Sequence, residues 1–329
     1  MAAPPGGSAQ RVGGDHVTQA APAGAPAESG TPAGPLSAVV VNPSKVVDLD
    51  ERRREICAAL AGAGWPEPLW LPTTPEDPGR GQAAEAVERG AEVVFACGGD
   101  GTVMAVAGTL AGTEVALAVL PSGTGNLLAT NMSLPSAVAD GVRVATDGAR
   151  RRIDLGSCGR TTFTVMAGMG FDAQMIGGTS EELKGRIGWF AYVLAALRYL
   201  RHRPMRVRLR LDGGPPVRRR ARTVLVGNVG RLQGGIPLLP DARPDDGWLD
   251  VAVLTPHTIG HWLSLAWGVL RRRRDMRWME TFRARHVEVY SNRPQPRELD
   301  GDVIEPARSL DVTIRPGALW LCVPADQAS

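Results

Sequence analysis

Two glycine-rich turns, Gly98-Gly99-Asp100-Gly101-Thr102 and Pro121-Ser122-Gly123-Thr124-Gly125-Asn126, stand about one βα unit apart. Each is preceded by an apolar run of strand character and followed by one of helical character. This repeat narrows the choice of folds, because an open parallel α/β sheet brings two such loops to the carboxyl ends of its strands, where they line one crevice. Glycines leave the backbone N–H groups open to close approach, and a helix N-terminus favours anionic oxygens. The layout is that of a phosphate cradle: Thr102, Thr124 and Ser122 can add hydroxyl donors, and Asp100 can hold Mg²⁺ shared with the phosphates.

The remainder of the first half fits that frame. Residues 1–36, rich in Ala, Pro, Gly and Ser, are expected to form a disordered tail. Order is expected to begin at the strand Ala38–Val41, which breaks at Asn42-Pro43. A helix over Val47–Ala63, a strand at Leu69–Leu71, a helix over Gln82–Arg89 and strands at Val93–Cys97 and Val115–Leu120 follow. The alternation predicts a doubly wound α/β nucleotide-binding domain over residues 37–151.

Beyond residue 150 the pattern changes to short alternating runs: Phe163–Met166, Val207–Leu211, Thr223–Val226, Leu249–Leu254, Val287–Tyr290 and Leu310–Ile314. They predict an antiparallel β-sandwich over residues 152–308, with residues 309–329 forming a strand that can return to the first domain. Two helical insertions interrupt it, Ile187–Leu200 and Ile259 to Leu270. The first carries Trp189, Phe190, Tyr192, Val193, Leu197, Arg198 and Arg201. The second carries Trp262, Leu263, Leu265, Trp267 and Leu270 and runs into Arg271, Arg272, Arg273 and Arg274. Either helix could rest at an anionic bilayer or simply cap the β domain.

Net charge is only +3. Arginines nevertheless cluster at Arg218, Arg219, Arg220 and Arg222 and again at Arg271–Arg274, a pattern pointing to local anionic partners and not to nucleic acid. Cys57, Cys97, Cys158 and Cys322 form no paired motif and read as core residues of a reducing compartment. No apolar run is long enough to span a bilayer and no signal-peptide order is present, so the expected location is the cytoplasm, with peripheral membrane contact and homo-oligomerisation left open. His257 and His261, four residues apart without a third ligand, read as helix surface and not as a zinc site.

Leu299-Asp300-Gly301-Asp302 carries two readings. Asp-Gly is a type I′ hairpin signal. The same four residues can instead set a carboxylate pair facing the phosphate crevice, one accepting a proton from an attacking hydroxyl and its neighbour orienting it or reaching the metal through water.

Taken in order, Gly98–Thr102, Pro121–Asn126, Arg152-Ile153-Asp154-Leu155-Gly156, Pro240-Asp241-Ala242 with Asp245-Asp246-Gly247, and Leu299–Asp302 resemble the diacylglycerol kinase and sphingosine kinase catalytic family, in its soluble bacterial form, over about residues 38–323. The resemblance implies an ATP- and Mg²⁺-dependent lipid kinase, with an α/β nucleotide domain, a β-sandwich lipid domain and the active site between them. It implies nucleotide contacts from Asn42, Pro43, Ser44 and Lys45, one of Thr73 or Thr74, the loop Gly98, Gly99, Asp100, Gly101 and Thr102, and Thr124. Ser122 and Gly123 complete that set. The catalytic base falls on Asp302, with Asp300, Asp100 and Asp154 at acidic positions around the metal and active site. A separate structural Mg²⁺ falls on Asp246 and the backbone carbonyls of Arg243 and Trp248.

Three positions depart from the family pattern. No glycine follows Ser44, Leu127 stands where many relatives have Asp, and Asp302 stands where Glu is frequent, which shortens the carboxylate's reach by about 1.5 Å. The acceptor expected first is diacylglycerol, giving phosphatidic acid in phospholipid biosynthesis. Two alternatives remain: an NAD kinase, which shares Gly-Gly-Asp-Gly-Thr, and a pseudokinase that binds lipid or nucleotide without turnover.

Overall fold

Short apolar runs punctuate the first half of the chain: those at Ala38, Leu69, Val93 and Ala116 become strands, whereas residues 56–61 and 103–107 lie in helices. The computed structural model describes residues 34–170, 204–232, 236–271 and 276–327. The first strand, β1 (Ser37–Val41), is buried along its whole length. Its period-two alternation sends Ala38 and Val40 into one core and Val39 and Val41 into another. Helix α1 (Leu49–Gly62) starts where the Asp48 side chain accepts the Glu51 N–H at 2.8 Å, with Asp50 and Glu51 in its first turn. There follow β2 (Leu69–Pro72), α2 (Arg80–Glu88), β3 (Val93–Gly98), α3 (Asp100–Leu110), β4 (Ala116–Pro121), α4 (Leu127–Asn131) and α5 (Val138–Thr146).

The strands stand in the order β2-β1-β3-β4, all parallel. Ile56 and Leu60 of α1 pack with Val138 and Val142 of α5 on one face. Ala83 and Ala86 of α2, Val103 and Val106 of α3 and Leu128 of α4 cover the other. This is the doubly wound α/β arrangement expected from the alternation.

The second half continues with β5 (Ala149–Cys158), β6 (Thr161–Phe163), β7 (Met166–Met169), β8 (Met205–Leu211), β9 (Val217–Ala221), β10 (Thr223–Gly227), β11 (Leu249–Leu254), α6 (Ile259–Leu270), β12 (Met279–Ala284), β13 (His286–Leu299) and β14 (Asp302–Val323). Antiparallel pairing links β12-β11-β10-β7-β13-β14, with β8 and β9 continuing from β13, and β5 and β6 from β14. Arg219 of β9 meets Glu280 of β12 at 2.8 Å, bridging two edges of the sandwich. Phe163, Met169, Met205, Leu209, Val251 and Leu310 fill the core between its layers.

Several strands differ from the expectation. The run 163–166 is not one strand: β6 ends at Phe163 and β7 begins at Met166, because the intervening N–H groups turn to a carboxylate described below. Strands β13 and β14 are far longer than the runs Val287–Tyr290 and Leu310–Ile314. Pro294, Pro296, Pro306 and Pro316 lie within them, each at one of the register shifts that follow Tyr290, Gln295 and Arg315. Charged stretches concealed β5, β9 and β12. The last strand also leaves its partner β13 to end in parallel pairing with β4, Trp320 opposite Ala116 and Leu321 opposite Leu117.

The four cysteines are free, Cys97 and Cys322 buried and the others half-buried. Among the described residues no helix is long and apolar enough to cross a membrane. The expected helix Ile187–Leu200 and its aromatic residues, Arg272–Arg274 and most of the expected tail lie outside the described residues.

Candidate active site

Parallel register places the carboxyl ends of three strands side by side, Val41 opposite Cys97 and Gly98 opposite Pro121. The loops that leave them therefore share one rim of the sheet. Asn42 turns the first loop by accepting the Ser44 N–H (3.0 Å) and hydroxyl (2.8 Å) on Oδ1, leaving Pro43, Ser44 and Lys45 exposed. Its Nδ2 reaches Thr102 Oγ1 at 3.4 Å. On the neighbouring strand end, Thr73 is buried and donates its N–H to Val41 O, whereas the Thr74 hydroxyl accepts the Asp77 N–H.

The two glycine turns touch backbone to backbone. A Cβ on Gly123 would lie 2.6 Å from Gly99 Cα, and one on Gly98 would lie 2.7 Å from Thr102 Cβ. Asn126, in the left-handed region at φ 45°, closes the second turn: its Oδ1 accepts the Gly123 N–H at 3.0 Å and its Nδ2 donates to Gly123 O at 2.8 Å. No side chain caps the N-terminus of α3 at Gly99, so its first N–H groups are available to an anion. Two of the expected hydroxyls face elsewhere. Thr102 is buried beneath Gly98 and faces Asn42, and Ser122 donates to Leu120 O at 3.3 Å; Thr124 is exposed at the rim. Gly123→Ala is expected to force the turns apart and lower kcat/KM for ATP about 10²-fold with the fold retained, as steady-state kinetics and circular dichroism would register.

Asp100 opens α3 and crosses to the second turn, its Oδ1 accepting the Leu127 N–H at 2.5 Å. Burial raises its pKa above the ordinary aspartate value, the N–H groups of Leu127 and Asn126 oppose that shift, and the nearby charge of Asp302 adds to it. Asp302 opens β14 at the exposed mouth, and its Oδ2 lies 3.1 Å from the position a Cβ would take on Gly101. Loss of water against the surrounding protein raises its pKa as well. The Asp100 and Asp302 carboxylates are hard oxygen donors of the kind a divalent cation takes, whereas the helix N-terminus beside them favours the anion such a cation would accompany.

Leu299 and Asp302 pair across a two-residue hairpin turn made of Asp300 at φ 49° and Gly301 at φ 91°, so the type I′ reading and the carboxylate at the crevice coexist. Asp300 does not face the crevice. It is 4% exposed, and its carboxylate accepts the Thr164 N–H (2.7 Å) and hydroxyl (2.8 Å), the Val165 N–H (2.8 Å) and the Met166 N–H (2.9 Å). Burial pushes its pKa up to about 6 against those hydrogen bonds. With its carboxylate accepting four hydrogen bonds, Asp300 holds the β6–β7 connection against the turn that carries Asp302, which suits the first of its two expected roles, orienting its neighbour or reaching a metal through water.

Asp154 also turns to backbone N–H groups. It is buried, with Oδ1 accepting the Gly317 N–H and Oδ2 the Gly247 N–H, each at 2.7 Å, so it clamps two turns. Asn228, fully buried, donates to Asp154 O (2.8 Å) and Thr164 O (2.9 Å) and so links that clamp to the Asp300 connection. Asn228 and Thr164 escaped the sequence reading; the one available signal was a lone amide after the apolar run Thr223–Gly227.

Around Asp246 the structure supplies its own cation. Arg283 pairs with the Asp246 carboxylate and stands 3.6 Å from Asp250, while Asp246 Oδ1 accepts the Trp248 N–H at 3.0 Å. Burial, with Asp246 and Asp241 nearby, pushes Asp250 up to about 6. Among the described residues no three acidic, histidine or cysteine side chains form a metal cluster. The carboxylate expected to share a structural Mg²⁺ with the backbone carbonyls of Arg243 and Trp248 thus has a guanidinium partner, Arg283. His257 and His261 pair with each other, the His257 N–H donating to His261 Nδ1 at 3.1 Å, and His261 stacks on Trp278 at 3.4 Å. On α6, Leu265 is buried and Trp262 packs against the core, whereas Leu263 and Trp267 point outward with Arg271 over the Trp267 ring.

Comparison with known proteins gives matches along most of the chain. Residues 38–158 match the model of the diacylglycerol kinase catalytic domain, and residues 164–323 that of the YegS C-terminal NAD kinase beta sandwich-like domain. A protein of Pseudomonas savastanoi pv. phaseolicola named "Probable lipid kinase YegS-like" is 33% identical over 284 residues, covering 84% of this chain and 90% of that protein. A protein of the same name from Pseudomonas aeruginosa is 34% identical over 252 residues, covering 73% and 80%. Among solved structures, a diacylglycerol kinase from Bacillus anthracis superposes with TM-score 0.72 at 22% identity, covering 89% of this chain and 98% of that one. An NAD kinase from Archaeoglobus fulgidus in complex with ATP superposes at 0.50 and 14% identity, covering 88% and 94%, a likeness of fold.

Proposed function

The chain belongs to the diacylglycerol kinase catalytic family and is a lipid kinase, and from that premise we propose that it transfers the γ-phosphoryl group of ATP to the hydroxyl of diacylglycerol, giving phosphatidic acid. The observation that carries this reading is the meeting of the Gly99 and Gly123 backbones at the N-terminus of α3, with the Asp302 carboxylate beside Gly101. Free N–H groups of the two turns cradle the phosphates and hold the γ-phosphorus toward the mouth. Asn42, Ser44 and Lys45 border the nucleotide on one side and Thr124 on the other.

Asp302 accepts the hydroxyl proton as the new P–O bond forms and the bond to the β,γ-bridging oxygen breaks, leaving ADP. Asp100 is the residue that would hold Mg²⁺, with Asp302 close by. When bound, Mg²⁺ supplies neutralisation of charge on the transferring group. Asp300 keeps the Asp302 turn in place through Thr164, Val165 and Met166, and positioning supplies much of the acceleration.

The test is transfer of labelled γ-phosphate from ATP to a panel of micellar lipids, with NAD as a further acceptor. Label in diacylglycerol alone is expected. Label in NAD would replace this reading by an NAD kinase, label in another lipid would reassign the acceptor, and ATP binding without transfer to any acceptor would support a pseudokinase.

A further inference from the structure

The outer face of β8, β9 and β13 concentrates arginine to a degree that the fold itself does not require. Alternation along β8 buries Met205, Val207 and Leu209 and exposes Arg206, Arg208 and Arg210. Antiparallel register sets Arg206 opposite Arg220 and Arg208 opposite Arg218, so like charges face each other directly across two strands. Such pairs cost stability. Among the described residues none of these four has a carboxylate at ion-pair distance, and Arg210 meets Glu288 only at 3.8 Å.

Protection of an exposed strand edge explains charge on β9, which pairs only with β8. It does not explain the same charge on β8, which is flanked on both sides. On the third strand Tyr290 is 38% exposed, its ring 5.0 Å from the Arg208 guanidinium. Together Arg206, Arg208, Arg218, Arg220, Tyr290 and Asn292 line an open groove of about 500 Å³.

We propose that this face of β8, β9 and β13 is the surface by which the protein docks on an anionic phospholipid bilayer. The chemistry is complementary: the summed positive charge of the arginines attracts anionic headgroups, and a tyrosine with an apolar ring and a polar tip suits the headgroup layer. A bilayer is favoured over nucleic acid because a lipid kinase meets its acceptor there, and because the strand that carries Tyr290 runs on to Leu299 at the catalytic turn. The choice of bilayer rests on the lipid-kinase reading; the charge complementarity does not.

The experiment is co-sedimentation of the full chain with vesicles of phosphatidylcholine alone or mixed with phosphatidylglycerol. The native chain is expected to bind only the anionic vesicles and to be released at ~1 M salt, where the screening length is about 3 Å. Each arginine is expected to contribute about fivefold. The combined variant Arg206→Gln, Arg208→Gln, Arg218→Gln and Arg220→Gln should therefore lose at least about 10²-fold in vesicle affinity. Lysine at the same four positions should restore most of it.

Phosphoryl transfer to a short-chain diacylglycerol in neutral micelles should be equal in native and glutamine variants, while transfer in anionic vesicles should fall in the latter. Vesicle binding by the glutamine variant equal to that of the native chain, failure of lysine to restore it, or tighter binding of the native chain to duplex DNA than to anionic vesicles would overturn the proposal. Arginine-dependent binding by a native chain that phosphorylates no lipid in micelles would uphold docking and count against the substrate reading alone.

Discussion

Asp302→Asn should reduce kcat for lipid phosphorylation about 10²- to 10⁴-fold, the range associated with a general base, with KM for ATP and the melting temperature nearly unchanged. The side chain is exposed at the mouth and, among the described residues, has no hydrogen-bond partner on which the fold depends, so the loss should be confined to the chemical step. Desolvation raises the pKa of Asp302 above the ordinary 3.8. A base must be ionised, so kcat/KM should be full above that raised value and fall as pH drops through it, and the acid limb of that profile should lie above 3.8. Asp302→Glu lengthens the reach by about 1.5 Å and keeps the acid, and it should retain far more activity than the amide. A native rate in Asp302→Asn would move the proton acceptor to another group.

Asp300→Ala should act in the opposite order, on stability first. The substitution leaves three backbone N–H groups and the Thr164 hydroxyl buried without their acceptor. Removing one partner of such a buried network costs about 3–5 kcal/mol, a large share of the ~5–15 kcal/mol that holds an ordinary domain together. The melting temperature should fall by roughly 10 °C, and the turn carrying Asp302 should lose its anchor, so the folded fraction should also turn over slowly. Thr164→Ala removes a single hydrogen bond and should cost only about 1 kcal/mol. Calorimetry and kinetics on the two variants, set beside Asp302→Asn, separate a residue that positions from one that takes the proton. An Asp300→Ala protein that melts like the native chain would remove the positioning role.

The parts of this protein legible without coordinates are those in which neighbours in sequence are neighbours in space. Val93–Gly98, the turn at Asp100 and the helix after it read correctly because strand period, glycine chemistry and helix start coincide within a dozen residues. The Asp300-Gly301 hairpin read correctly for the same reason. Strands β13 and β14 were shortened in the reading because prolines in a strand ordinarily end it, and the bulges that admit them depend on partners far away in the chain. Asp154, Asp300 and Asp302 look alike in sequence, each an acid in a short polar motif. Their fates differ through burial: two are consumed by N–H groups from distant turns and one is left at the mouth.

The sequence by itself determined the α/β-then-β architecture, because periodicity and turn glycines are local properties of the chain, and its ordered motifs carried the resemblance to a lipid kinase family. Tertiary structure alone decided which carboxylates are taken up by backbone N–H groups, that Arg283 pairs with Asp246, and that five arginines from two strands share one face with Tyr290. Each of these depends on pairing across the fold, where desolvation and hydrogen-bond partners assign different chemistry to identical side chains.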